Sequence, residues 1–288
     1  MIIMKIHGGL GNQMFQYALG RNLSLIHKVP VKIDYSYLKT ENQSGRRFEL
    51  DGFRIQAVEA TENDIRRYGS TFQKMVDRIR PEAKRKKITE QGDGFHSDVL
   101  ERFDAYFDGH WQNERYFKAH EKTIREDFSL KNRFGPASEA MARKIQSEKN
   151  PTSVHIRRGD YVSIEKIADT HGTLPVSYYR TACDKILEKL PDARFFVSSD
   201  DIDWAKENFP REYPATFISA PEITDCEELT LMSLCKHNII ANSTFSWWGA
   251  WLNTNPEKIV IAPKLWFVNP NRVPKDLIPS SWIPLEAY

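Results

Sequence analysis

Short apolar runs, rich in β-branched and aromatic residues, recur along this chain between longer polar stretches. Runs of this kind predict short buried strands. Seven candidate strands lie at 2–6, 31–34, 152–157, 194–199, 215–219, 238–242 and 258–262. Because helix-like stretches separate them, the pattern predicts an α/β fold in which crossover helices join parallel strands.

An apolar stripe at helical spacing follows the first candidate strand. Residues three, four and about seven positions apart share one face of a helix, so the stripe predicts a helix that packs on the sheet. Its members are Phe15, Ala18, Leu19, Leu23 and Ile26. Further helices are predicted at 176–190, 225–236 and 247–252.

The second half of the chain alternates strand and helix regularly, whereas the first half loses this regularity after one βαβ unit. We therefore predict two domains, 1–149 and 150–288, with a boundary near Lys149–Pro151 where a polar run ends. The basic and polar segment 74–93 predicts a solvated helix or a connecting arm. Its alternative interpretation is a surface for anionic lipid or for an acidic glycan.

Composition narrows the function only slightly. The 288 residues suffice for two domains, and a formal net charge of +2 does not indicate a nucleic-acid partner. The three cysteines form no CxxC pair, which favours reduced packing residues. No apolar run approaches the roughly 20 residues that span a bilayer. The N-terminal apolar run is too short for a signal peptide. These features predict a cytoplasmic protein, with peripheral contact at the inner membrane as a further option.

The first chemical signal is the stretch GGLGNQ at 8–13, directly after the first strand. A dinucleotide-binding fingerprint requires G-x-G-x-x-G. Gly9 and Gly11 supply its first two glycines, but Met14 occupies the third position. Asp34 ends the next strand, where a ribose-binding acid would lie, so an NAD(P)-dependent oxidoreductase remains an alternative.

Asn12 and Gln13 are not explained by that fingerprint. Amide side chains at a helix N-terminus donate and accept hydrogen bonds beside its free N–H groups. Such a site suits the diphosphate of a nucleotide sugar as well as that of a dinucleotide. A tight turn whose amides cap the helix is the simpler structural alternative.

A second signal is HIRRGDYV at 155–162, where an extended run ends in adjacent arginines. Open α/β sheets bind ligands at the carboxyl ends of their strands, and arginine suits bidentate contact with phosphate. Because strand neighbours face opposite sides, we expect one arginine to face a ligand and the other to pair inward, for example with Asp160. His155 shares the face of Arg157. A surface salt-bridge cluster is the alternative.

Two later strand ends carry polar residues, SSDD at 198–201 and NSTFSWWGAWLN at 242–253. Asp200 can accept hydrogen bonds from a guanine edge or a ribose, or else Ser199 or Asp200 caps the following helix. Ser243 and Thr244 offer hydroxyl and N–H groups at a helix start, which is a natural anion pocket. The aromatic residues that follow are predicted to be mostly core.

These four stretches, GGLGNQMFQYALGRNL, HIRRGDYV, SSDD and NSTFSWWGAWLN, resemble the bacterial α-1,2-fucosyltransferases of glycosyltransferase family 11. They span nearly the whole chain in the family's order. The last three also resemble, more loosely, the α-1,6- and protein O-fucosyltransferases. The resemblance implies a GT-B-like α/β fold of two Rossmann-like domains, with the donor in the cleft between an N-terminal acceptor-side domain and a C-terminal GDP-fucose-binding domain.

The same resemblance implies a galactoside 2-α-L-fucosyltransferase. Such an enzyme moves L-fucose from GDP-β-L-fucose, with inversion, to the 2-hydroxyl of a terminal galactose on an O-antigen or an oligosaccharide. It needs no cofactor and no metal ion. A non-catalytic nucleotide-sugar-binding protein is a further alternative, and it would bind GDP without turnover.

The resemblance also assigns roles to individual residues. Arg157, helped by His155, contacts the diphosphate, and Asp200 contacts the guanine or the ribose. The other residues expected at the donor are Gly9, Gly11, Asn12, Ser243, Thr244 and Phe245.

A base for the acceptor hydroxyl is left open between Asp160 and Glu165, and the alternative is a leaving group good enough to make a base unnecessary. Glu165 lies ten residues after His155, which is the spacing of a proposed base in the α-1,6 relatives. An ion pair with an arginine would lower the pKa of Asp160 and make it a poor base.

Overall fold

The computed structural model describes residues 1–39, 45–81, 84–92, 94–163, 169–269 and 276–287. The chain forms two compact units. Unit 1 contains Met1–Lys131 and Lys275–Leu277, and unit 2 contains Asn132–Pro274 and Ile278–Tyr288.

The main break therefore lies at Lys131, earlier than the boundary that we predicted near Lys149–Pro151. The helix Pro136–Ser147 accounts for the difference, because its buried Ala142 and Ile145 pack in a cluster of unit 2 with Phe196. Its exposed face is polar, so in the sequence it resembles the end of the first domain.

Unit 1 is built on one parallel sheet with the strand order β3-β2-β1-β5-β4. Its strands are β1 Ile2–Lys5, β2 Val31–Asp34, β3 Val58–Glu59, β4 Lys87–Thr89 and β5 Ala105–Asp108. Its helices are α1 Leu10–His27, α2 Ser36–Lys39, α3 Glu62–Gly69, α4 Thr71–Ile79 and α5 Glu121–Asp127. Short 3₁₀ turns occupy Leu50–Gly52, Ser97–Glu101, Glu114–Tyr116 and Lys118–His120.

Unit 2 contains a second parallel sheet with the order β11-β10-β9-β6-β7-β8. Its strands are β6 Asn150–Ile156, β7 Ala193–Ser199, β8 Ala215–Phe217, β9 His237–Ile239, β10 Val260–Pro263 and β11 Ile283–Leu285. Its helices are α6 Pro136–Ser147, α7 Gly159–Ser163, α8 Val176–Lys189, α9 Ile202–Asn208, α10 Asp225–Leu234 and α11 Thr244–Leu252.

Each sheet reverses its strand order once. In unit 2 the chain runs outward from β6 to β8 and then returns to the other side of β6, so the reversal lies between β6 and β9. In unit 1 the corresponding reversal lies between β1 and β5. Open α/β sheets bind ligands outside the carboxyl ends of the strands at such a switch point. Topology alone therefore marks one candidate ligand edge in each unit.

Apolar packing fixes both sheets. The central strands are buried on both faces, as in β6, where Val154 and His155 on opposite faces are both enclosed. Neighbouring side chains of a strand point to opposite faces of the sheet. Val154 and Val197 therefore pack in the apolar cluster with α8, and Phe196 packs in the cluster with α6 and α10.

All seven predicted strands and the predicted helices are present, with ends that differ by a few residues. The predicted packing role of the cysteines is confirmed, because Cys183, Cys226 and Cys235 are free and buried. Among the described helices, none combines the length and apolar character that a bilayer-spanning helix needs.

Candidate active site

The switch point of unit 2 is lined by the ends of β6 and β7 and by the turn into α11. We call this surface, residues 155–161, 198–201 and 242–245, the arginine edge. It unites three of the stretches that the sequence singled out. Tyr161 links its two sides, because its hydroxyl donates to the Asn242 carbonyl at 2.9 Å.

Both arginines of this edge are paired with the acids of SSDD. Arg157 Nη1 lies 2.9 Å from Asp200 Oδ2, and Arg158 Nε lies 3.3 Å from Asp201 Oδ2. The Arg158 backbone N–H also donates to Asp200 Oδ1 at 2.8 Å. We predicted that one arginine faces a ligand and that the other pairs inward, for example with Asp160. Instead, both arginines pair with the two consecutive acids that follow β7.

Asp200 is thus held at both carboxylate oxygens. A Cβ atom at Gly159 would lie 2.3 Å from Asp200 Oδ2, so only glycine lets the chain pass this close to the carboxylate. This places Asp200 as a support for Arg157. Its predicted contact with guanine or ribose requires one of these bonds to be exchanged.

Arg158 is fixed to the neighbouring helix. Its guanidinium lies 3.8 Å from the centre of the Trp204 ring, a cation–π contact. Asp201 accepts from the Trp204 N–H at 3.3 Å and so caps α9. The cap is therefore Asp201 and not the predicted Ser199 or Asp200. The Arg157 guanidinium instead lies 5.3 Å from the ring of Tyr161, the residue that bonds the Asn242 carbonyl before α11.

His155 lies beneath Arg157 in the sheet and is only 2% exposed. Burial, helped by the positive charge of Arg157, lowers the pKa of His155 to about 3, so the imidazole is neutral. Its Nδ1 atom has no hydrogen-bond partner among the described residues, and neither has the hydroxyl of Ser198, its neighbour on β7. Buried polar atoms without partners are uncommon and suit contact with a ligand or a water molecule.

The α11 N-terminus forms the other wall of the arginine edge. Ser243 precedes the helix, and within the described part of the chain its hydroxyl does not cap the first turn. The first two residues of α11, Thr244 and Phe245, are partly exposed. Phe245 lies 5.5 Å from the His155 ring. The predicted core role of the aromatic residues that follow is confirmed, because Trp247, Trp248 and Trp251 are buried.

Glu228 adds a carboxyl group that sequence reasoning missed. It projects from α10 toward Ser219, whose hydroxyl also accepts from the Ser199 N–H at 2.9 Å. Burial raises the pKa of Glu228 to about 7, with Asp225 and Asp200 adding to the rise and the Ser219 hydrogen bond opposing it. Near neutral pH this carboxyl is therefore divided between its protonated and ionised forms.

The switch point of unit 1 is lined by residues 7–13, after β1, and 108–112, after β5. We call this surface the glycine edge. Gly9 is the N-cap residue of α1, and Gly11 lies in its first turn. Asn12 spans the switch point, because its Oδ1 atom accepts from Gln112 Nε2 at 2.9 Å.

Gln13 has a structural role that could not be predicted from its position next to Asn12 in the sequence. Its side chain is fully buried and donates to the Gly8 and Arg47 carbonyls at 2.9 and 2.7 Å. Its Oε1 atom accepts from the Glu49 N–H at 3.0 Å. Asp34, the proposed ribose acid of the oxidoreductase alternative, is also buried and occupied, since it accepts from the Tyr106 hydroxyl at 2.8 Å.

The two candidate bases are not placed by the structure. The backbone of Asp160 is part of α7. Its side chain and the whole of Glu165 lie outside the described part of the chain. Across the described ranges, no group of three or more His, Cys, Asp or Glu residues is arranged to hold a metal ion.

The fold resembles that of a solved fucosyltransferase. A crystal structure of NodZ α-1,6-fucosyltransferase soaked with GDP-fucose matches with a TM-score of 0.51 over 87% of this chain and 91% of that one, at 14% identity. The likeness shows the fold, which is the GT-B class built from two Rossmann-like units.

Sequence relatives define the family within that class. The chain is 36% identical to an α-1,2-colitosyltransferase of Escherichia coli, with 99% of each chain covered. It is 33% identical to the O-antigen biosynthesis glycosyltransferase WbnK of Escherichia coli, with 97% of this chain and 99% of that one covered. The model of glycosyl transferase family 11 matches residues 95–286. The chain therefore belongs to glycosyl transferase family 11, which favours glycosyl transfer over the hydride-transfer alternative.

Proposed function

We propose that this protein is an inverting α-1,2-glycosyltransferase that moves L-fucose from GDP-β-L-fucose to the 2-hydroxyl of a terminal galactose. The observation that carries the proposal is the position of Arg157 and the α11 N-terminus, which flank one switch point in a family 11 chain. Both features suit a diphosphate, the first by bidentate contact and the second by its N–H groups.

Arg157 is the group that we assign to the leaving diphosphate. When the bond between the sugar and GDP breaks, negative charge grows on the β-phosphate. A fixed guanidinium and backbone N–H groups stabilise this charge most strongly where water is excluded. Binding requires Arg157 to exchange its contact with Asp200 for a contact with phosphate. Asp200, thus released, would then face the nucleoside, in line with its expected contact with guanine or ribose.

The remaining donor residues keep the roles that the family resemblance implies. His155, Ser243, Thr244 and Phe245 complete the nucleotide site of unit 2. Gly9, Gly11 and Asn12 contribute the glycine edge of unit 1. We further propose that transfer needs neither a cofactor nor a metal ion, because Arg157 and the helix N-terminus supply the charge that Mg²⁺ would otherwise supply. Activity should therefore persist in excess EDTA and should not rise on addition of Mg²⁺ or Mn²⁺.

Colitose is a second candidate donor sugar, favoured by the 36% identity to the colitosyltransferase. Colitose lacks the 3-hydroxyl of fucose, so a site that binds this hydroxyl discriminates strongly against colitose, whereas a site that does not bind it discriminates weakly. Competition between GDP-fucose and GDP-colitose for one acceptor measures that discrimination directly.

The decisive experiment incubates the purified protein with GDP-fucose or GDP-colitose and a panel of galactose-terminated acceptors. Nuclear magnetic resonance of the product gives the linkage and the anomeric configuration. An α-1,2-linked product supports the proposal. A different linkage, a β-anomer, or GDP binding without any product would refute it.

We also propose that α4 and the segment after it bind an anionic bilayer surface from the cytoplasmic side. Met75 and Ile79, one helical turn apart, are 60% and 84% exposed. Between Arg78 and Lys87 the sequence carries six lysines and arginines against one glutamate. Exposed apolar side chains beside basic residues suit the interface of a membrane that contains anionic lipid.

Vesicle sedimentation tests this contact. The protein should pellet with vesicles that contain phosphatidylglycerol and stay in solution with pure phosphatidylcholine. The substitution Ile79→Glu should abolish pelleting, whereas Val58→Glu, at a side chain that is 61% exposed on β3, serves as the matched control. Equal pelleting of both variants would exclude this surface.

A further inference from the structure

The glycine edge contains a histidine that no motif in the sequence marked. His7 lies two residues after the end of β1, and His110 lies two residues after the end of β5, so the two residues flank the switch point of unit 1. Their centres are 4.8 Å apart in an edge-to-face arrangement. His7 is partly exposed and His110 is exposed, so this crevice is open to a ligand.

Buried hydrogen bonds tie the backbone at His7 to the loop after β5. Gln16, which is fully buried, accepts from the His7 backbone N–H at 3.0 Å and donates to the Gly109 carbonyl at 3.2 Å. The two segments that carry His7 and His110 are therefore held together.

The loop that carries Gly109 is itself strained and tightly held. A Cβ atom at Gly109 would lie 2.4 Å from the Glu90 Cβ atom, and the Glu90 carboxylate accepts from the N–H groups of His110 and Trp111. Trp111 has a φ of +57°, which a bulky residue rarely adopts. Strain of this kind persists where the surroundings fix it, and it occurs preferentially at functional sites.

Electrostatics keep the His7 ring uncharged. Burial, together with the neighbouring His110 and Lys5, lowers the pKa of His7 to about 4, while Asp108 and the Gly109 backbone oppose this shift. Asp108 is itself paired with Lys5 at 3.0 Å and with Lys87 at 3.3 Å. A neutral imidazole has one nitrogen with a free electron pair, which can accept a proton.

We propose that His7 is the general base that accepts the proton of the acceptor hydroxyl. This inference rests on the proposed function. In the transfer step the acceptor oxygen forms a bond to the anomeric carbon of the donor sugar, and its O–H bond breaks. The proton moves to the free nitrogen of His7. The bond between the anomeric carbon and the diphosphate breaks, and its electron pair leaves with GDP. The imidazolium then returns its proton to water.

The test compares wild-type protein with His7→Gln and His27→Gln. His27 is the matched control, because its ring nitrogen bonds the Leu100 carbonyl at 2.8 Å but lies at the far end of α1, away from the glycine edge. Transfer to a galactoside acceptor, GDP affinity by calorimetry and the far-ultraviolet circular dichroism spectrum are measured for each.

We expect His7→Gln to lower kcat for transfer by about 10² to 10⁴-fold, the range of a lost general base, with GDP affinity and spectrum unchanged. His27→Gln should stay within about twofold of the wild type. If His7→Gln does not fold, His7→Asn replaces it. An active wild type whose folded His7 variants keep transfer within threefold would overturn the assignment of His7 alone. A wild type that transfers neither sugar would instead overturn the proposed function.

Discussion

The arginine edge and the glycine edge occupy the same place in their sheets but use different chemistry. At the arginine edge, two guanidinium groups are paired with two carboxylates on the adjacent strand. At the glycine edge, buried amides and backbone groups hold a neutral histidine and a tight turn. Charge suits a diphosphate, whereas neutral hydrogen-bonding groups suit a sugar hydroxyl. The same fold can therefore present an anion site in one unit and a hydroxyl site in the other.

The largest expected effect separates the two adjacent arginines. Arg157→Ala should lower kcat by on the order of 10²-fold or more, since a charge partner of the transition state is lost. Arg158→Ala should cost less than about fivefold, because Arg158 is engaged by Asp201 and Trp204. Arg157→Lys should recover little, because an ammonium lacks the planar fork. Steady-state kinetics with GDP-fucose decide the point, and equal losses at both arginines would remove the distinction.

A second experiment tests whether Asp200 acts through Arg157. Asp200→Asn should lower kcat/KM by about tenfold, because the nucleoside of the donor loses a charged partner once Arg157 has moved to the phosphate. In the double variant Arg157→Ala/Asp200→Asn the two losses should then multiply, because the two residues contact different parts of the donor. A double variant no worse than Arg157→Ala alone would instead indicate that Asp200 acts only through Arg157.

At the glycine edge, substitution of Gln13 should mainly lower stability, whereas substitution of the neighbouring Asn12 should mainly lower activity. Gln13→Ala should lower the free energy of unfolding by about 2 to 3 kcal/mol, because buried backbone groups lose their partners. Asn12→Ala, at a partly exposed side chain that bonds Gln112, should cost under about 1 kcal/mol and lower activity instead. Chemical denaturation together with transfer assays measures both. A similar stability loss at both positions would contradict the division.

The smallest expected effect concerns Glu228 and pH. Its folded-state pKa of about 7 lies above the ordinary value of 4.5, so the folded protein binds the extra proton. Its contribution to stability is therefore full below about pH 4.5 and is lost as the pH rises through 7. Glu228→Gln should raise the unfolding free energy at pH 8 by on the order of 2 kcal/mol and change it little at pH 5. Thermal unfolding at the two pH values tests this, and an equal change at both would contradict it.

The sequence predicted the strongly apolar strands and the residues at their ends, because buried strands of a parallel sheet leave a continuous signal. It missed β3, β4, β5 and β11, which have two to four residues each. β4 lies inside a basic run, and its Lys87 and Thr89 are exposed, so no apolar pattern marks it.

The site was predictable only as a list of residues. The register between β6 and β7 places Ile156 opposite Ser199. This register decides that Arg157 pairs with Asp200 and Arg158 with Asp201. The register cannot be predicted from the spacing of these residues in the sequence. His7 was missed for a similar reason, because its significance comes from His110 and Gly109, about a hundred residues further along the chain.

Because Arg157 is paired with Asp200, an anion can bind Arg157 only by replacing the Asp200 carboxylate. A small anion such as inorganic phosphate must displace a carboxylate that already satisfies the guanidinium, and it gains little by doing so. In the proposed function, a diphosphate would contact the helix N-terminus and the arginine together, and the gain from both contacts would drive the exchange. The ion pair itself would thus favour GDP over the abundant monophosphates of a cell, independently of how the sugar is recognised.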